Sequence, residues 1–564
     1  MADLSLPQFD ESEQMRRLDF LKRREEEELA QMLSQKYGVQ YADLSLMAIN
    51  TDALRLVPEA EARDTEAVAF GMVGKKLSLA VRAPENPKVK ALVEKLTDLG
   101  YTPTIFMVSQ ESLKRAYARY ADLSYAKQST AGVFEIPSEE LEELIEKVKT
   151  ITDIGALITE AVQMKRTYRI TRILEVILAG GLSTNSSDIH LEPEEKVVRL
   201  RYRLDGVLVD IITLDYDTFH LLLSRLKLLS GLKLNITDEA QDGRFSIKIK
   251  GDEIELRTSI LPGNYAETMV LRILNPKSIE VPLEDLGFEP KLRERLEKEI
   301  NRPNGMILTT GPTGSGKTTT LYAFLRKINS PDYKIITIED PVEYHLNGIV
   351  QTQVDKKTYT FANGLRSVLR QDPDIIMVGE IRDNEVAETA INAALTGHLV
   401  FSTLHTNDAA GAFPRLIDLG INEKVLSSAI TVAMAQRLVR KLCPACKKER
   451  PATPEEQAII DKIIAAIVDR SLVPENTKTV YDASPEGCEQ CHGRGFKGRI
   501  GIYEAIFMDR AIEDILREKP SEREIAAAAS PQGTPTLLED GIIKILRGIT
   551  SLEELKRVID LEEK

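Results

Sequence analysis

Residues 311–318 read Gly-Pro-Thr-Gly-Ser-Gly-Lys-Thr and match the pattern GxxxxGK[ST] without a gap. The stretch follows an apolar, strand-like run at 306–310 and precedes a helical pattern at 319–328, as a phosphate-binding loop requires. Its glycines let backbone N–H groups converge on phosphate oxygens, and the helix N-terminus adds partial positive charge. A chance glycine turn would need neither the strand nor the helix. The pattern predicts that a nucleoside triphosphate binds Gly311, Pro312, Thr313, Gly314, Ser315, Gly316, Lys317, Thr318 and Thr319.

Two of these side chains have separate expected tasks. Lys317 would bridge the β- and γ-phosphates, and the hydroxyl of Thr318 would bind Mg²⁺.

Acidic residues follow two further strand-like runs, at the edge where open parallel sheets bind their ligands. The run at 335–338 leads into Glu339-Asp340-Pro341-Val342-Glu343, and the run at 375–378 leads into Gly379-Glu380-Ile381-Arg382-Asp383. The second stretch has a Walker-B-like position, with Gly379 in the usual place of the acid and Glu380 as the acid. The alternative is that these acids cap helices or form surface ion pairs, and for Asp340 and Asp383 both interpretations stay open.

Two of the six histidines, His398 and His405, bracket the apolar run at 399–402. A lone histidine at such a place is more often a core residue than a functional one. The polar run after His405 favours a functional role, because it again marks the C-terminal edge of a strand.

The patterns on either side of the loop divide the chain into segments. Residues 1–123 show helical stretches, the first at 16–36, and short strand-like runs. Residues 124–165 resemble a linker followed by a charged helix. Residues 166–285 show a helix and then strands. Residues 286–508 alternate short apolar strands with helices, which predicts an α/β fold with a parallel sheet. Residues 509–564 are helical and polar.

Composition limits the possible functions. The 564 residues suggest three or four domains at about 150 residues each. The net charge is -14, from 74 basic and 88 acidic residues, which disfavours binding to nucleic acid. We find no apolar run of the roughly 18 residues that would span a membrane, and no secretory signal at residues 1–19. We therefore expect a cytosolic protein.

The four cysteines form two CxxC pairs, Cys443/Cys446 and Cys488/Cys491. Four thiolates from two such turns make a closed tetrahedral site for structural Zn²⁺. The 41 residues between the pairs should loop out as a helical excursion. A disulfide or redox role is the alternative, and a reducing cytosol disfavours it. His492 adjoins the site, but a fifth ligand is unnecessary.

These stretches together resemble the secretion ATPase superfamily, the hexameric motors of type II secretion, type IV pili and type IV secretion. Residues 369–383, Leu-Arg-Gln-Asp-Pro-Asp-Ile-Ile-Met-Val-Gly-Glu-Ile-Arg-Asp, are similar to the signature of that family nearly residue for residue. Ser187-Asp-Ile-His-Leu-Glu-Pro193 and Gln241-Asp-Gly-Arg244 are typical of its N2 domain. The resemblance implies a RecA-like P-loop motor domain at 286–508, with a zinc insert at about 440–495. A PAS-like α+β N2 domain would precede it at 166–285, and a small α+β N1 domain would occupy 1–123.

The resemblance also implies roles in ATP hydrolysis. Glu343 would be the general base, and Glu380 would support Mg²⁺ and the attacking water. His405 and His398 would contact the γ-phosphate. Arg257 and Arg272 of the N2 domain would reach the phosphates as arginine fingers, with Arg203 a weaker match. Relatives usually carry Gly before the glutamate of the stretch Gly263-Asn-Tyr-Ala-Glu267, so this hairpin departs from the family pattern.

Within that family, retraction motors lack both the tetracysteine insert and a separate N1 domain, and this chain has both. The resemblance thus implies a homohexameric ATPase that uses ATP, Mg²⁺ and Zn²⁺. It would polymerise pilins for a type IV pilus, or alternatively drive a type II secretion pseudopilus and protein export. It would reach the inner face of the membrane only through partners, chiefly a platform protein. Arg17-Leu18-Asp19 differs from the Arg-Leu-Gly start of N1 variants that bind cyclic-di-GMP, so that ligand is not predicted.

Two other classes of function remain as alternatives. A RecA-like helicase or DNA-uptake motor would share the phosphate-binding loop, but the acidic charge and the lack of basic-aromatic stretches disfavour it. Stimulation of turnover by DNA would separate that class. A scaffold that binds ATP without hydrolysing it would keep its function when Glu343 is replaced by Gln.

Overall fold

The computed structural model describes residues 25–561, apart from 45–46, 48, 51–52, 55, 74, 123–127, 130–132, 135–137, 165, 250–251, 276–279 and 356–357. The chain forms two compact units. One comprises residues 1–127 and 163–171, and the other comprises residues 128–162 and 172–564. Residues 17–19 and the start of the helix predicted at 16–36 lie outside the described residues.

The first unit is a small α+β fold around one sheet, with strand order β1-β4-β3-β2. Helix α3 shows why its helices pack there. Asn86 caps it, Pro87 occupies the first turn, and Val89, Leu92 and Leu96 are buried at spacings of three and four residues. The elements are α1 (25–37), β1 (Gln40–Tyr41), α2 (Glu59–Thr65), β2 (Ala67–Val73), β3 (Lys76–Val81), α3 (Pro87–Asp98), β4 (Thr102–Met107) and α4 (Gln110–Ala118).

The second unit begins with an eight-stranded, mostly antiparallel sheet of order β5-β6-β10-β11-β12-β7-β8-β9. Residues 124–165, predicted as a linker and a helix, also supply two short strands, and β6 pairs in parallel with β10. A strand of two residues is too short to show a period-two pattern, so the sequence does not reveal these strands. The elements are β5 (Gln128–Ser129), β6 (Val133–Phe134), α5 (Ser138–Lys147), α6 (Ile151–Val162), α7 (Arg166–Ser183), β7 (Asp188–Pro193), β8 (Val198–Leu204), β9 (Val207–Leu214), α8 (Tyr216–Leu229), β10 (Gln241–Ile249), β11 (Asp252–Leu261) and β12 (Thr268–Leu274).

A seven-stranded sheet follows, with strand order β15-β14-β16-β17-β13-β18-β21. All neighbours in it are parallel except β18 and β21. Strands β13, β14, β16 and β17 are buried throughout, and apolar clusters cover both faces of the sheet. The elements are α9 (Pro290–Ile300), β13 (Gly305–Thr310), α10 (Lys317–Ile328), β14 (Ile335–Glu339), β15 (Val350–Gln353), α11 (Phe361–Val368), β16 (Ile375–Val378), α12 (Asn384–Leu395), β17 (Leu399–Leu404), α13 (Ala412–Asp418), α14 (Glu423–Ala429) and β18 (Ile430–Leu442). The predicted α/β fold with a parallel sheet is confirmed.

Between the two cysteine pairs, the predicted helical excursion is only part of the structure. Helix α15 is present, but β19 and β20 flank it and pair as an antiparallel ribbon. The last strand and four capped helices complete the unit. The elements are β19 (Lys448–Pro451), α15 (Pro454–Ala466), β20 (Thr479–Asp482), β21 (Phe496–Phe507), α16 (Arg510–Leu516), α17 (Glu522–Ala529), α18 (Leu537–Leu546) and α19 (Leu552–Val558). In the described part of the chain, no helix combines the length and apolarity needed to cross a membrane.

Candidate nucleotide and metal sites

The predicted phosphate-binding loop joins the end of β13 to the start of α10. Gly316 caps α10 in the left-handed region, with φ of 91°, and Gly311 has φ of 146°. A Cβ atom on Gly311 would lie 2.6 Å from the carbonyl oxygen of Gln436 on β18, so the loop packs closely on that strand. Only glycine fits this approach, which leaves the backbone N–H groups of the loop to face a ligand.

Lys317 directly follows the glycines of this loop and is the first residue of α10. Its amine donates to the carbonyl oxygens of Gly311 at 2.6 Å and Pro312 at 3.1 Å. Burial lowers the pKa of Lys317 to about 8, although the charge of Glu380 acts in the opposite direction. The buried hydroxyl of Ser315 has no hydrogen-bond partner among the described residues. A buried cation and an unsatisfied donor in one loop fit an anionic, phosphate-like group.

Glu380 and His405 lie together at the C-terminal edge of the seven-stranded sheet. His405 Nε2 lies 3.4 Å from Glu380 Oε2, and the guanidinium of Arg382 pairs with the same carboxylate. The charge of Glu380 also acts on Lys317. The structure therefore brings two of the predicted catalytic residues to the side of the sheet that carries the phosphate-binding loop.

His398 lies at the opposite edge. Its ring Nδ1 contacts the carbonyl oxygen of Ala393 at 2.9 Å, at the end of α12. In the register of β13 and β17, Gly305 pairs with Leu399 and Thr310 pairs with Leu404. The six residues of β17 at about 3.3 Å each put His398 roughly 20 Å from the edge with the loop. The prediction that His398 contacts the γ-phosphate is therefore wrong for a site within one chain.

The acids after β14 have different environments. Glu339 is buried and accepts hydrogen bonds from the hydroxyls of Tyr322 and Thr337, so it belongs to the interior. Glu343 lies further along and is about one-third exposed. Asp383 caps α12 by accepting from the amide of Val386 at 3.0 Å, which confirms the capping interpretation for that residue.

The two predicted finger arginines lie side by side on the eight-stranded sheet. Arg257 on β11 and Arg272 on β12 are directly opposite each other in the antiparallel register, so their side chains share one face. Arg257 Nη2 donates to the carbonyl oxygen of Val342 at 2.8 Å, and its Nη1 lies 3.8 Å from Glu343 Oε2. An arginine of one sheet thus contacts the candidate base that follows a strand of the other.

Arg272 has a different partner. Its Nε donates to Asp188 Oδ1 at 3.0 Å, while Arg203 Nε lies 3.3 Å from Asp188 Oδ2. Arg272 also lines a cleft of about 590 Å³ between the two sheets, a volume in the usual range for a small-molecule site. On the other side this cleft is lined by Gly316, Thr319 and Gln436. The cleft therefore opens onto the helix that follows the phosphate-binding loop.

Two further residues, Gln436 and Arg437, lie near the loop and are not among those predicted from the sequence. Gln436 is buried on β18 and accepts a hydrogen bond from Thr320 at 2.8 Å, and Arg437 donates to its carbonyl oxygen at 3.0 Å. The signal for them is the polar pair Gln436-Arg437 inside the otherwise apolar start of the run at 430–439.

The four cysteines converge on one point. Their Sγ atoms all lie within 4.8 Å of one another, and three pairs are 3.7–3.8 Å apart: Cys443–Cys488, Cys446–Cys491 and Cys488–Cys491. A tetrahedron with Zn–S bonds of about 2.3 Å has edges of about 3.8 Å. These distances are too long for a disulfide, whose S–S bond is about 2.05 Å. The amides of Cys488 and Gly495 donate to Cys491 Sγ at 3.1 Å, as thiolate ligands require. The donor set fits structural Zn²⁺.

The sequence matches two family models. Residues 163–557 match the family described as type II/IV secretion system protein, and residues 37–126 match the MshEN domain. The family match covers more than half of the chain, and it includes the phosphate-binding loop, Glu343, Glu380 and the four cysteines.

Three relatives align with this chain over most of their own length. The type II secretion system protein E of Pseudomonas aeruginosa is 42% identical over 438 residues, covering 76% of this chain and 85% of that protein. The type IV pilus assembly ATPase PilB of Myxococcus xanthus is 36% identical over 538 residues, covering 94% and 91%. The type II secretion system protein E of Dickeya dadantii is 38% identical over 523 residues, covering 91% and 99%. The chain belongs to the type II/IV secretion system protein family, and it is an ATPase that uses ATP and Mg²⁺.

Proposed function

We propose that this ATPase is a cytoplasmic homohexameric motor that drives pilin polymerisation in type IV pilus assembly. The observation that carries the proposal is the contact between Arg257 of the eight-stranded sheet and Glu343 of the seven-stranded sheet. Because the cleft lies between the two sheets, a nucleotide bound there contacts both, and its affinity depends on how they are arranged. Binding and hydrolysis can therefore do mechanical work by changing that arrangement.

At the phosphates, each residue has a distinct proposed role. Lys317 and the loop amides bind the β- and γ-phosphates. Glu343 accepts a proton from the water that attacks the γ-phosphorus, and the bond to the β–γ bridging oxygen breaks, leaving ADP and phosphate. The Thr318 hydroxyl and Glu380 would hold Mg²⁺, which would neutralise part of the phosphate charge. His405 contacts the γ-phosphate, and its Glu380 partner orients the ring.

Arg257 and Arg272 supply positive charge to the transition state, and an arginine in this role is worth about 10³–10⁵ in rate. Asp188 holds Arg272 through Nε, and within the described part of the chain the two terminal nitrogens of the guanidinium have no partner, so they can meet an anion. Arg257 contacts Glu343 instead. This contact also requires the two sheets to lie close together, so it depends on the same closure of the cleft.

The choice between a type IV pilus and a type II secretion system is based on the relatives of this chain. A pilus assembly ATPase aligns with 94% of this chain, a larger share than either of the two type II secretion proteins described above. A second candidate is the type II secretion motor, favoured by the higher identity of 42% to a protein of that system. Both candidates place the motor against an inner-membrane platform protein, and that partner belongs to the proposal.

Deleting the gene and complementing it with wild-type or Glu343→Gln protein separates the two candidates. The pilus proposal expects surface pili to be lost without the wild-type chain, while secreted enzymes still reach the medium. The contrary result is intact pili with exported proteins trapped in the periplasm, which would assign the motor to type II secretion. Co-purification from solubilised membranes, followed by mass spectrometry, identifies the platform partner.

A further inference from the structure

The turn that carries the last two cysteines also contacts the eight-stranded sheet. Arg494 follows Cys491 by three residues, and its Nη1 donates to Asp205 Oδ2 at 2.6 Å. Both side chains are nearly buried, with 13% and 14% exposed. Arg494 Nε donates to the carbonyl oxygen of Cys491 at 3.2 Å. One guanidinium therefore joins the main chain of the cysteine turn to a carboxylate of the other sheet.

A second contact supports the first. The ring of His492 hydrogen-bonds through Nδ1 to the carbonyl oxygen of Lys149 at 2.8 Å. A carbonyl oxygen only accepts, so Nδ1–H is the donor. The amine of Lys149 also lies 3.8 Å from Glu489, within the same cysteine turn. Lys149 stands between α5 and α6, so the turn contacts this half of the unit at two separate places.

Asp205 is connected to Arg272 through a short series of contacts. With Gly206 it forms the two-residue turn between β8 and β9, and both residues have positive φ, 51° and 86°. Two-residue turns with positive φ at both positions match the twist of the strands that they join, which fixes the geometry of this hairpin. Two residues before it on β8, Arg203 donates through Nη1 to the carbonyl oxygen of Gly206 at 3.3 Å and pairs with Asp188. Asp188 in turn holds Arg272, which lines the nucleotide cleft.

We propose that Arg494 is a positioning residue that ties the tetracysteine turn to the β8–β9 turn and so fixes where Arg272 stands in the cleft. The path runs from Cys491 through Arg494, Asp205, Arg203 and Asp188 to Arg272. The insert thereby has a task beyond its own stability, because it holds the sheet with the arginines against the sheet with the phosphate-binding loop. The catalytic consequence rests on the proposed function, and the structural tie does not.

The test compares Arg494→Ala with Arg450→Ala in the full-length protein. Arg450 is the matched control, because its ion pairs with Glu456 and Asp482 stay within the insert. Metal analysis first confirms that both variants keep the zinc of the wild type. Hydrogen exchange followed by mass spectrometry then measures opening of the sheet. We expect exchange in residues 188–214 to quicken in Arg494→Ala and to stay at the wild-type rate in Arg450→Ala.

Turnover gives the second readout. In Arg494→Ala we expect kcat to fall by about tenfold or more while the KM for ATP changes by less than about threefold. Asp205→Asn, far from the cysteines in sequence, should reproduce both effects, so a folding defect of the insert cannot explain them.

Two results would overturn the proposal. One is exchange in residues 188–214 that is unchanged in both Arg494→Ala and Asp205→Asn. The other is faster exchange with kcat equal to that of Arg450→Ala, which would leave a structural contact without a role in positioning. If Glu343→Gln hydrolyses ATP at the wild-type rate, the proposed function fails separately, and the exchange measurement still decides whether the tie exists.

Discussion

Lys317 is the side chain whose charge is most affected by its surroundings in the phosphate-binding loop. Burial disfavours its charged form and lowers its pKa to about 8. Its only hydrogen-bond acceptors given by the described residues are two loop carbonyl oxygens, which carry no full charge. A bound phosphate would supply that charge and raise the pKa again, so nucleotide binding and proton uptake are coupled at this residue.

The coupling predicts how ATP affinity depends on pH. Below about pH 8 the amine is already protonated and affinity should stay level. Above about pH 8 binding must first recover a proton, so affinity should fall by up to about tenfold per pH unit. Titration calorimetry with Mg-ATP, in two buffers of different ionisation enthalpy, measures the uptake directly. Uptake should be about 0.1 proton per ATP at pH 7 and about 0.9 at pH 9. Affinity that stays level through pH 9 would contradict this account of Lys317.

Glu343 gives a second prediction for a single residue. Because it is assigned to the attacking water and not to the phosphates, Glu343→Gln should bind ATP nearly as the wild type does and hydrolyse it far more slowly. Lys317→Ala should instead lose binding. Equilibrium binding of a fluorescent ATP analogue and steady-state phosphate release measure the two effects. Wild-type turnover by Glu343→Gln would transfer the role of base to Glu380.

Several functional positions could be predicted from the sequence because local chain geometry determines them. The loop at 311–318 and the two CxxC pairs each complete most of their site within a few residues, and the structure has them in the expected places. His398 and Arg437 are different. His398 precedes its strand, and its distance from the loop follows only from the parallel pairing of β17 with β13. The approach of β18 to the loop depends on strand order. Neither is encoded in a short motif.

At the scale of elements, the insert shows how two distant turns make one site. Strands β18 and β21 pair in antiparallel register, with Leu442 opposite Phe496. This pairing brings Cys443 close to the segment that carries Cys488 and Cys491. The ribbon of β19 and β20 then closes the excursion that holds α15. The metal site therefore joins the end of β18 to the start of β21, and loss of the metal should destabilise the pairing of these two strands.

Zinc removal tests this arrangement. Cys488→Ser should lower bound zinc from about one ion per chain and reduce the melting temperature, since metal binding free energy contributes to folding. Glu486→Gln, in the same segment but outside the ligand set, is the matched control. Metal analysis of freshly purified, reduced protein and a thermal melt measure both effects. Absence of zinc from the wild-type protein would remove the site.

The short strands β5 and β6 are elements that could not be predicted from the sequence. Each has only two residues, and they belong to a sheet because β6 pairs with β10 and β5 pairs with β6. The strands of the seven-stranded sheet, in contrast, are continuous apolar runs between helical patterns. Burial on both faces imposes that signal on the sequence, and a two-residue edge strand carries no such requirement.

At the scale of the whole molecule, a cleft between two sheets raises the question of coupling between chains. If closure of the cleft is coupled around a hexamer, inactive Glu343→Gln chains should also reduce ATP turnover by the wild-type chains in the same ring. In an equal mixture, independent subunits would keep about half of the activity, whereas rings stopped by one inactive chain would keep only about 2%. Turnover measured across the mixing series, on particles shown by light scattering to be hexamers, distinguishes the two cases. A loss proportional to the inactive fraction would exclude the coupled ring and leave the ATPase assignment intact.

In the proposed mechanism, hydrolysis at the loop of one sheet depends on an arginine of the other sheet, and the variant Arg257→Ala tests this claim. Arg199→Ala is the control, because Arg199 lies on the same eight-stranded sheet and pairs with Glu194 and Asp210. Steady-state turnover and ATP affinity are measured for both. We expect Arg257→Ala to lower kcat by about 10³ or more, with ATP affinity only modestly weaker, and Arg199→Ala to match the wild type. A kcat for Arg257→Ala equal to that of the control would contradict the claim.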